Sequence, residues 1–387
     1  MREPVAIIGV GQTTYRRRHV ERNTAELVRD AVDAALKDAQ VDPGAIGVIV
    51  GGVAPDALAG INHIDMASIS SPGVPYFRVN TGGATGSSAF LAAMSWIASG
   101  RCDVALVVAV ERMGYATTAQ AVFNSIFDPI YEKDISISTI SMIAMRATML
   151  MQEYGYTTDH WAALAAKNSL VSQKNDTLEN PRLFDKAQVL ASPVLSWPIR
   201  TLEACPMSEG VCVAVLASAK VVGARRAAWV LGTGAVSDAY AMGDRIRRPE
   251  GSLVELLTLR RSAEKAYREA GITNPRNVID CVEIQAPFAS AEAMAYSALS
   301  LCEAKDGPAF LEELLDGRTR AVVNPSGGPQ AANPVSATAL IRIVECALQV
   351  RGLAGKRQVD GVRHAVATGQ GGATQFSTAV VLGSNRP

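Results

Sequence analysis

Val79-Asn80-Thr81-Gly82-Gly83-Ala84-Thr85-Gly86-Ser87-Ser88 runs from an extended apolar residue through a glycine-rich turn into residues 88–98, an almost wholly apolar segment stopped by Gly100. A helix that is apolar on every side needs neighbours all round, so this segment is expected at the centre of the molecule. Residues 104–110, all apolar, read as a strand covered on both faces. A second stretch, Val323-Asn324-Pro325-Ser326-Gly327-Gly328, precedes another helix expected to be buried, at 335–350.

Working outward, Ala6-Ile7-Ile8-Gly9-Val10-Gly11 predicts an opening strand. Asn23 with Glu26 three residues on has capping-box spacing, ahead of a helix carrying Leu27, Val28, Ala31, Ala34 and Ala35. Another strand is expected at 46–53. The order then returns: Trp229-Val230-Leu231-Gly232-Thr233-Gly234 as opening strand, a helix over 259–270, a strand over 278–284, the helix at 335–350, and closing strands at 365–368 and 378–382. The repetition predicts a duplicated α/β unit packed about a pseudo-two-fold axis; the alternative is generic α/β alternation. Residues 114–207 read as an insertion that rejoins the sheet at 212–217. Its Met142, Met145, Met149 and Met151 suit either helix packing or an adaptable lining for an apolar ligand. The expected divisions are 1–113 with 208–224, then 114–207, then 225–387.

The bulk composition excludes several partners. Of 387 residues 48% are hydrophobic, enough for a large core in two units, and 37 basic residues balance 37 acidic ones. No global field attracts nucleic acid or an anionic membrane. The runs Arg16-Arg17-Arg18-His19 and Arg245-Ile246-Arg247-Arg248 are expected as solvated surface. No apolar stretch approaches the roughly 20 residues that span a bilayer, and the N-terminus lacks a signal-peptide pattern. The six cysteines, at 102, 205, 212, 281, 302 and 346, show no metal spacing and fit reduced, mostly buried thiols in a cytoplasmic protein. Gly9-Val10-Gly11-Gln12 lacks the third glycine of a dinucleotide fingerprint and reads as strand-end packing. His63, His160 and His364 are too dispersed for a metal site. Asp280 and Glu283, at odd spacing on one strand, point to opposite faces.

The two glycine-rich stretches, together with Leu164-Ala165-Ala166-Lys167-Asn168, Pro206-Met207-Ser208-Glu209-Gly210, Val282-Glu283-Ile284 before Phe288, Pro334 to Thr338 and Gly371-Gly372-Ala373, resemble the thiolase superfamily in joint order over nearly the whole chain. The likeness is nearest to the sterol carrier protein X and lipid-transfer-protein thiolase branch. It implies an α/β thiolase fold: two duplicated βαβαβαββ halves in five layers (α-β-α-β-α), with an inserted loop domain that receives the pantetheine and nucleotide. It also implies a dimer or larger oligomer acting on acyl-coenzyme A, with coenzyme A as part of the substrate and no covalently bound cofactor.

The family's reactive side chains are not here. Its nucleophilic cysteine corresponds to Gly83, followed by Ala84. Its His-Asp-X-Phe or Asn-Glu-X-Phe motif corresponds to Gln285-Ala286-Pro287-Phe288, its Gly-His-Pro to Ala332-Asn333-Pro334, and its Cys-X-Gly to Gly369-Gln370-Gly371. The resemblance implies two oxyanion holes, one from Gln285 and Asn333, the other from backbone N–H groups at Gly83 and Gly371. Neutral amides donate hydrogen bonds without titrating, so a carbonyl site is expected to survive without sulfur chemistry.

Two functional classes follow. One is a carbon–carbon lyase of retro-aldol type, similar to the steroid side-chain aldolases of the superfamily, which lack the cysteine and bind a small zinc-ribbon and OB-fold partner. Those aldolases use tyrosine where Gln285 stands, and Tyr76 and Tyr115 are the candidates to replace it. The other is a silent thiolase-like subunit that binds acyl-coenzyme A or supports a catalytic partner. An ordinary thiolase using another cysteine, such as Cys205, is the least favoured reading, because reactivity requires a depressed thiol pKa.

Overall fold

The computed structural model describes residues 3–54, 73–115, 118–132, 135, 137–246 and 253–387. Among the described residues ten strands form the framework: β1 (Val5–Gln12), β2 (Val48–Val53), β3 (Tyr76–Val79), β4 (Val104–Glu111), β5 (Gly210–Ser218), β6 (Ala228–Ser237), β7 (Cys281–Glu283), β8 (Val322–Val323), β9 (His364–Gly371) and β10 (Phe376–Gly383). The first five lie in the order β3-β2-β4-β5-β1 and the last five in the order β8-β7-β9-β10-β6. In the first set β2 is parallel to β3 and β4, and β5 is antiparallel to β4 and β1. In the second, β7 is parallel to β8 and β9, and β10 is antiparallel to β9 and β6. The second half repeats the first strand for strand, so duplication and not generic alternation explains the order. β1 and β6 join the halves through two residue pairs, Ala6 with Trp229 and Ile7 with Ala228, so that the first and the second five-stranded sheet are continuous as one sheet of ten strands.

The helices that matter for the site are α1 (Thr24–Ala39), α2 (Thr85–Ala98), α3 (Thr139–Tyr154), α4 (Thr158–Ser172), α5 (Leu257–Glu269), α6 (Ala289–Ala298) and α7 (Val335–Arg351). α2 and α7 share one core with Ile7, Val50 and Val107 of the first sheet and with Ala367, Val380 and Leu382 of the second. α1 packs on the other face of the first sheet, against Ile8, Ile49, Leu106 and Val108. α3 to α6 cover the other face of the second, against Val282, Val366 and Val381. Neighbouring residues of one strand thus enter different cores, which produces the five layers.

Both opening strands carry glycine because a helix lies directly on them. A β-carbon on Gly11 would lie 1.9 Å from the Ala31 carbonyl oxygen, and one on Gly234 would lie 1.9 Å from that of Ser262. The Asn23 capping box forms as expected, with Asn23 Oδ1 accepting the Glu26 N–H at 2.9 Å. The insertion methionines serve helix packing: Met142 is buried, Met149 and Met151 pack against the same core, and Met145 is exposed.

Some expectations change. Pro275, favourable in a first helical turn, starts a short helix through Val278, so the strand expected over 278–284 begins only at Cys281. The basic runs are not uniformly solvated. His19 is 3% exposed and donates its N–H to Glu209 Oε2 at 2.8 Å, and Arg245 is 5% exposed. Arg247 and Arg248 lie outside the described residues, as does His63. The cysteines are all free, four of them buried. Among the described residues no helix is long and apolar enough to cross a membrane.

Candidate functional site

The two central helices start side by side. A β-carbon on Gly86 would lie 2.7 Å from Leu340 N, so α2 and α7 meet backbone to backbone. Ser336, in the first turn of α7, donates its N–H and Oγ to Glu111 Oε2 at 3.1 and 2.9 Å, tying that turn to the end of β4. Burial pushes the Glu111 carboxyl up, and these bonds oppose the shift.

Gln285 lies just past β7. Its N–H donates to Thr368 Oγ1 at 2.9 Å, and its Oε1 accepts the N–H of Gln370. With the carbonyl end held, the NH2 end faces the glycine turn: Nε2 lies 2.7 Å from the place a β-carbon on Gly83 would take. Gln285 is buried, and among the described residues Nε2 has no hydrogen-bond acceptor. The strand end behind it is fixed by Asn324, a left-handed residue (φ 49°) whose Oδ1 accepts the Ile284 N–H at 2.7 Å. Asn324 Nδ2 in turn donates to the buried Glu292 at 2.8 Å.

Gly371 closes on the same turn. A β-carbon there would lie 1.8 Å from the Thr81 carbonyl oxygen and 3.0 Å from Ala84 N. Gly83, Gln285 and Gly371 therefore form one cluster. Asn333 is committed elsewhere: its Oδ1 accepts from Thr338 Oγ1 at 2.7 Å, and its Nδ2 donates to Cys205 Sγ at 3.1 Å. Cys205 reaches the Gln285 segment through its own N–H, which donates to Pro287 O at 2.8 Å. The two amides thus belong to one neighbourhood with different duties, since Gln285 keeps an unclaimed N–H pair and Asn333 spends one N–H on a thiol.

Sequence reasoning missed Thr368, Gln370 and Thr338 as the residues that aim these amides. The signal for Gln370 was its place between Gly369 and Gly371; the others carry none. Tyr76 does not serve the cluster. It packs in the core on the α1 side of the first sheet, where a β-carbon on Gly51 would lie 2.4 Å from its hydroxyl. The side chain of Tyr115 lies outside the described residues. Among the described residues there is no group of three His, Cys, Asp or Glu suited to a metal ion.

Burial raises the Cys205 thiol to about 11, a shift only partly opposed by Asn333, so the sulfur carries its proton at neutral pH. Two residues earlier, burial lifts the Glu203 carboxyl to about 7, although Oε2 accepts the Arg200 N–H at 3.1 Å. A raised carboxyl pKa favours the protonated fold. Its contribution is complete below about pH 4.5 and is lost as the pH rises through about 7. Glu203→Gln is therefore expected to stabilise the protein at pH 8 by on the order of 2 to 3 kcal/mol and to change little near pH 4.5, as read by denaturant unfolding at both pH values.

The comparisons with known proteins agree with this architecture. The thiolase N-terminal domain model matches residues 5–180 and the thiolase C-terminal domain-like model matches residues 247–384. The chain is 29% identical over 389 residues to sterol carrier protein 2 of Bos taurus, covering 95% of this chain and 70% of that protein. It is 28% identical over 383 residues to an acetyl-CoA acetyltransferase of Methanothermobacter thermautotrophicus, covering 95% and 96%. In structure it is similar to the Ltp2-ChsH2(DUF35) aldolase, with a TM-score of 0.83, 20% identity and 98% of each chain covered. With both thiolase domains present in order on a duplicated five-layer framework, the chain belongs to the thiolase superfamily.

Proposed function

We propose that this protein breaks, or in reverse forms, a carbon–carbon bond beside an acyl-coenzyme A thioester without covalent acylation. The single observation that carries the reading is the Gln285 amide seated against Gly83, in the space a nucleophile's side chain would fill. The thioester oxygen is held by Gln285 Nε2 and by backbone N–H groups at Gly83 and Gly371. A base removes the β-hydroxyl proton, the bond between the α and β carbons breaks, and its electron pair passes into the thioester enolate. The β-carbon leaves as an aldehyde or ketone, and the enolate takes a proton to become the shorter acyl-coenzyme A. Oriented donors act where negative charge develops, and each is worth roughly 3 to 4 kcal/mol. The likeness to sterol carrier protein 2 and to an acetyl-CoA acetyltransferase supports the thioester, and the likeness to the Ltp2-ChsH2(DUF35) aldolase supports the bond cleaved.

A second reading, a silent subunit that binds acyl-coenzyme A or supports a catalytic partner, is favoured by a different observation. Among the described residues, the only ionisable side chain hydrogen-bonded to Gln285 or Asn333 is the Cys205 thiol, which carries its proton at neutral pH. On the lyase reading the acid–base group comes from beyond these hydrogen bonds, either Tyr115, whose side chain lies outside the described residues, or a partner, for which a small zinc-ribbon and OB-fold subunit is the proposed class. The test is turnover of a β-hydroxyacyl-coenzyme A by the purified protein, alone and with such a subunit. Gln285→Ala is expected to lower it about 10²-fold and Asn333→Ala less than tenfold. Undiminished turnover in Gln285→Ala would remove the site assignment, and copurification with a cysteine-containing thiolase without turnover would establish the silent subunit.

A further inference from the structure

Beside Gln285 a side chain takes the place of a strand. β8 pairs with β7 in register, the Val322 N–H donating to Asp280 O at 3.0 Å and the Asn324 N–H to Val282 O at 2.8 Å. The next rung of a parallel ladder would give the Ile284 N–H to the Asn324 carbonyl. That carbonyl is turned away, because Asn324 is left-handed and its oxygen accepts the Gly327 N–H at 3.0 Å. The side chain replaces it, with Oδ1 accepting the Ile284 N–H at 2.7 Å. Asparagine suits both tasks, since it tolerates the left-handed region and carries a second carbonyl.

Glu292 fixes which way that amide faces. On α6, its Oε2 accepts Asn324 Nδ2 at 2.8 Å and Asn168 Nδ2, from α4 of the insertion, at 2.7 Å, while its Oε1 accepts the Tyr296 hydroxyl at 3.2 Å. Lys167 extends the chain, its Nζ donating to Asn168 Oδ1 at 3.0 Å and to the Val323 carbonyl. Asn168, Glu292 and Asn324 are all buried. With both NH2 groups turned to Oε2, Asn324 presents its oxygen to Ile284. A β-carbon on Gly328 would lie 2.8 Å from Asn324 Nδ2, so the following turn leaves the amide little room to swing. We propose that Asn324 is a positioning residue of the reaction, acting on the thioester oxygen through the Ile284–Gln285 segment, with Glu292 orienting it. The aim of Gln285 then depends on the insertion, whose α4 supplies Lys167 and Asn168. This inference rests on the carbon–carbon cleavage reading above.

The experiment is a double-mutant cycle on turnover of 3-hydroxyoctanoyl-coenzyme A by the purified protein, alone and with a zinc-ribbon and OB-fold subunit. Asn324→Gly keeps the left-handed backbone and its N–H, and removes only the acceptor for Ile284. It is expected to lower kcat about 10- to 100-fold with KM within about twofold, the scale of a misplaced catalytic group. In a Gln285→Ala background the same change is expected to cost less than about twofold, because the amide it aims is gone. A merely structural role would lower kcat by the same factor in both backgrounds, and that result overturns the proposal. So does a raised KM with unchanged kcat. Glu292→Met is expected to match Asn324→Gly, whereas Glu292→Gln, which still offers an oxygen to both asparagines, is expected to keep kcat within about threefold. Equal losses in these two variants also overturn the proposal, and the pair decides it if Asn324→Gly fails to fold. Absence of turnover by the parent under both conditions overturns the cleavage reading and the inference together.

Discussion

Gly83→Cys, which restores the residue a thiolase carries at this position, is expected to yield no acyl-enzyme and to lower the proposed carbon–carbon bond cleavage about 10³-fold. The reason is steric before it is chemical. A β-carbon at residue 83 would stand 2.4 Å from the Gln370 carbonyl oxygen and 2.7 Å from Gln285 Nε2. The first contact is with backbone that pairs in β9, and Gln370 also donates its N–H to Gln285 Oε1. Moving either atom therefore disturbs both the amide and the strand that carries Gly371. Removing one oriented donor costs roughly 10²- to 10³-fold, and here two sets of donors shift together. Gly83→Ala is expected to lose as much as Gly83→Cys, because the β-carbon alone causes the loss. Turnover assays together with intact-mass analysis after incubation with acyl-coenzyme A decide the point. A folded Gly83→Cys protein carrying a stoichiometric acyl group would show that the position is a vacated nucleophile site and not a rebuilt one.

Arg342→Leu is expected to destabilise the protein by about 3 to 5 kcal/mol at pH 7, as read by urea unfolding. Arg342, on α7, is ion-paired with Glu283 at the end of β7, and both are buried. Ser326 completes the pair: its N–H and Oγ donate to Glu283 at 3.1 and 2.9 Å, and its Oγ accepts from Arg342 Nη1 at 2.7 Å. Burial already pushes the Glu283 carboxyl up, and Arg342 is the main influence holding it down. Without the arginine a carboxylate is stranded, so the penalty grows as the pH rises and is smallest where Glu283 is protonated. Arg342→Leu combined with Glu283→Leu is expected to recover much of the loss. Equal destabilisation at pH 5 and pH 8 would assign the effect to lost packing. The pair also has a bearing on chemistry, since it pins the strand that leads to Gln285 to the helix that follows Asn333.

The duplicated framework was legible in the chain because its signals are local. The buried strand at 104–110, the apolar helix ended by Gly100, and the glycines at 9, 11, 232 and 234 each report a period, a stop or a close helix contact within a few residues. The positions of Gly83, Gln285, Asn333 and Gly371 were legible in the same way, through motif order. What each amide does was not. Gln285 is aimed by the N–H of a residue 85 positions away, and Asn333 is turned to a thiol 128 positions away. Nothing in the local run around Tyr76 says that it faces α1, and nothing in Arg245-Ile246-Arg247-Arg248 says that the first arginine is buried beside Arg146.

By itself, then, the sequence determined the fold class, the repeat and the absence of sulfur at the expected nucleophile position, because side-chain period, backbone stops and residue identity are properties of short segments. Only the tertiary structure decided which donor among the described residues is free and why glycine is required at residue 83. Those depend on atoms that meet across the two halves and the insertion, where a difference of an ångström separates a hydrogen bond from a collision.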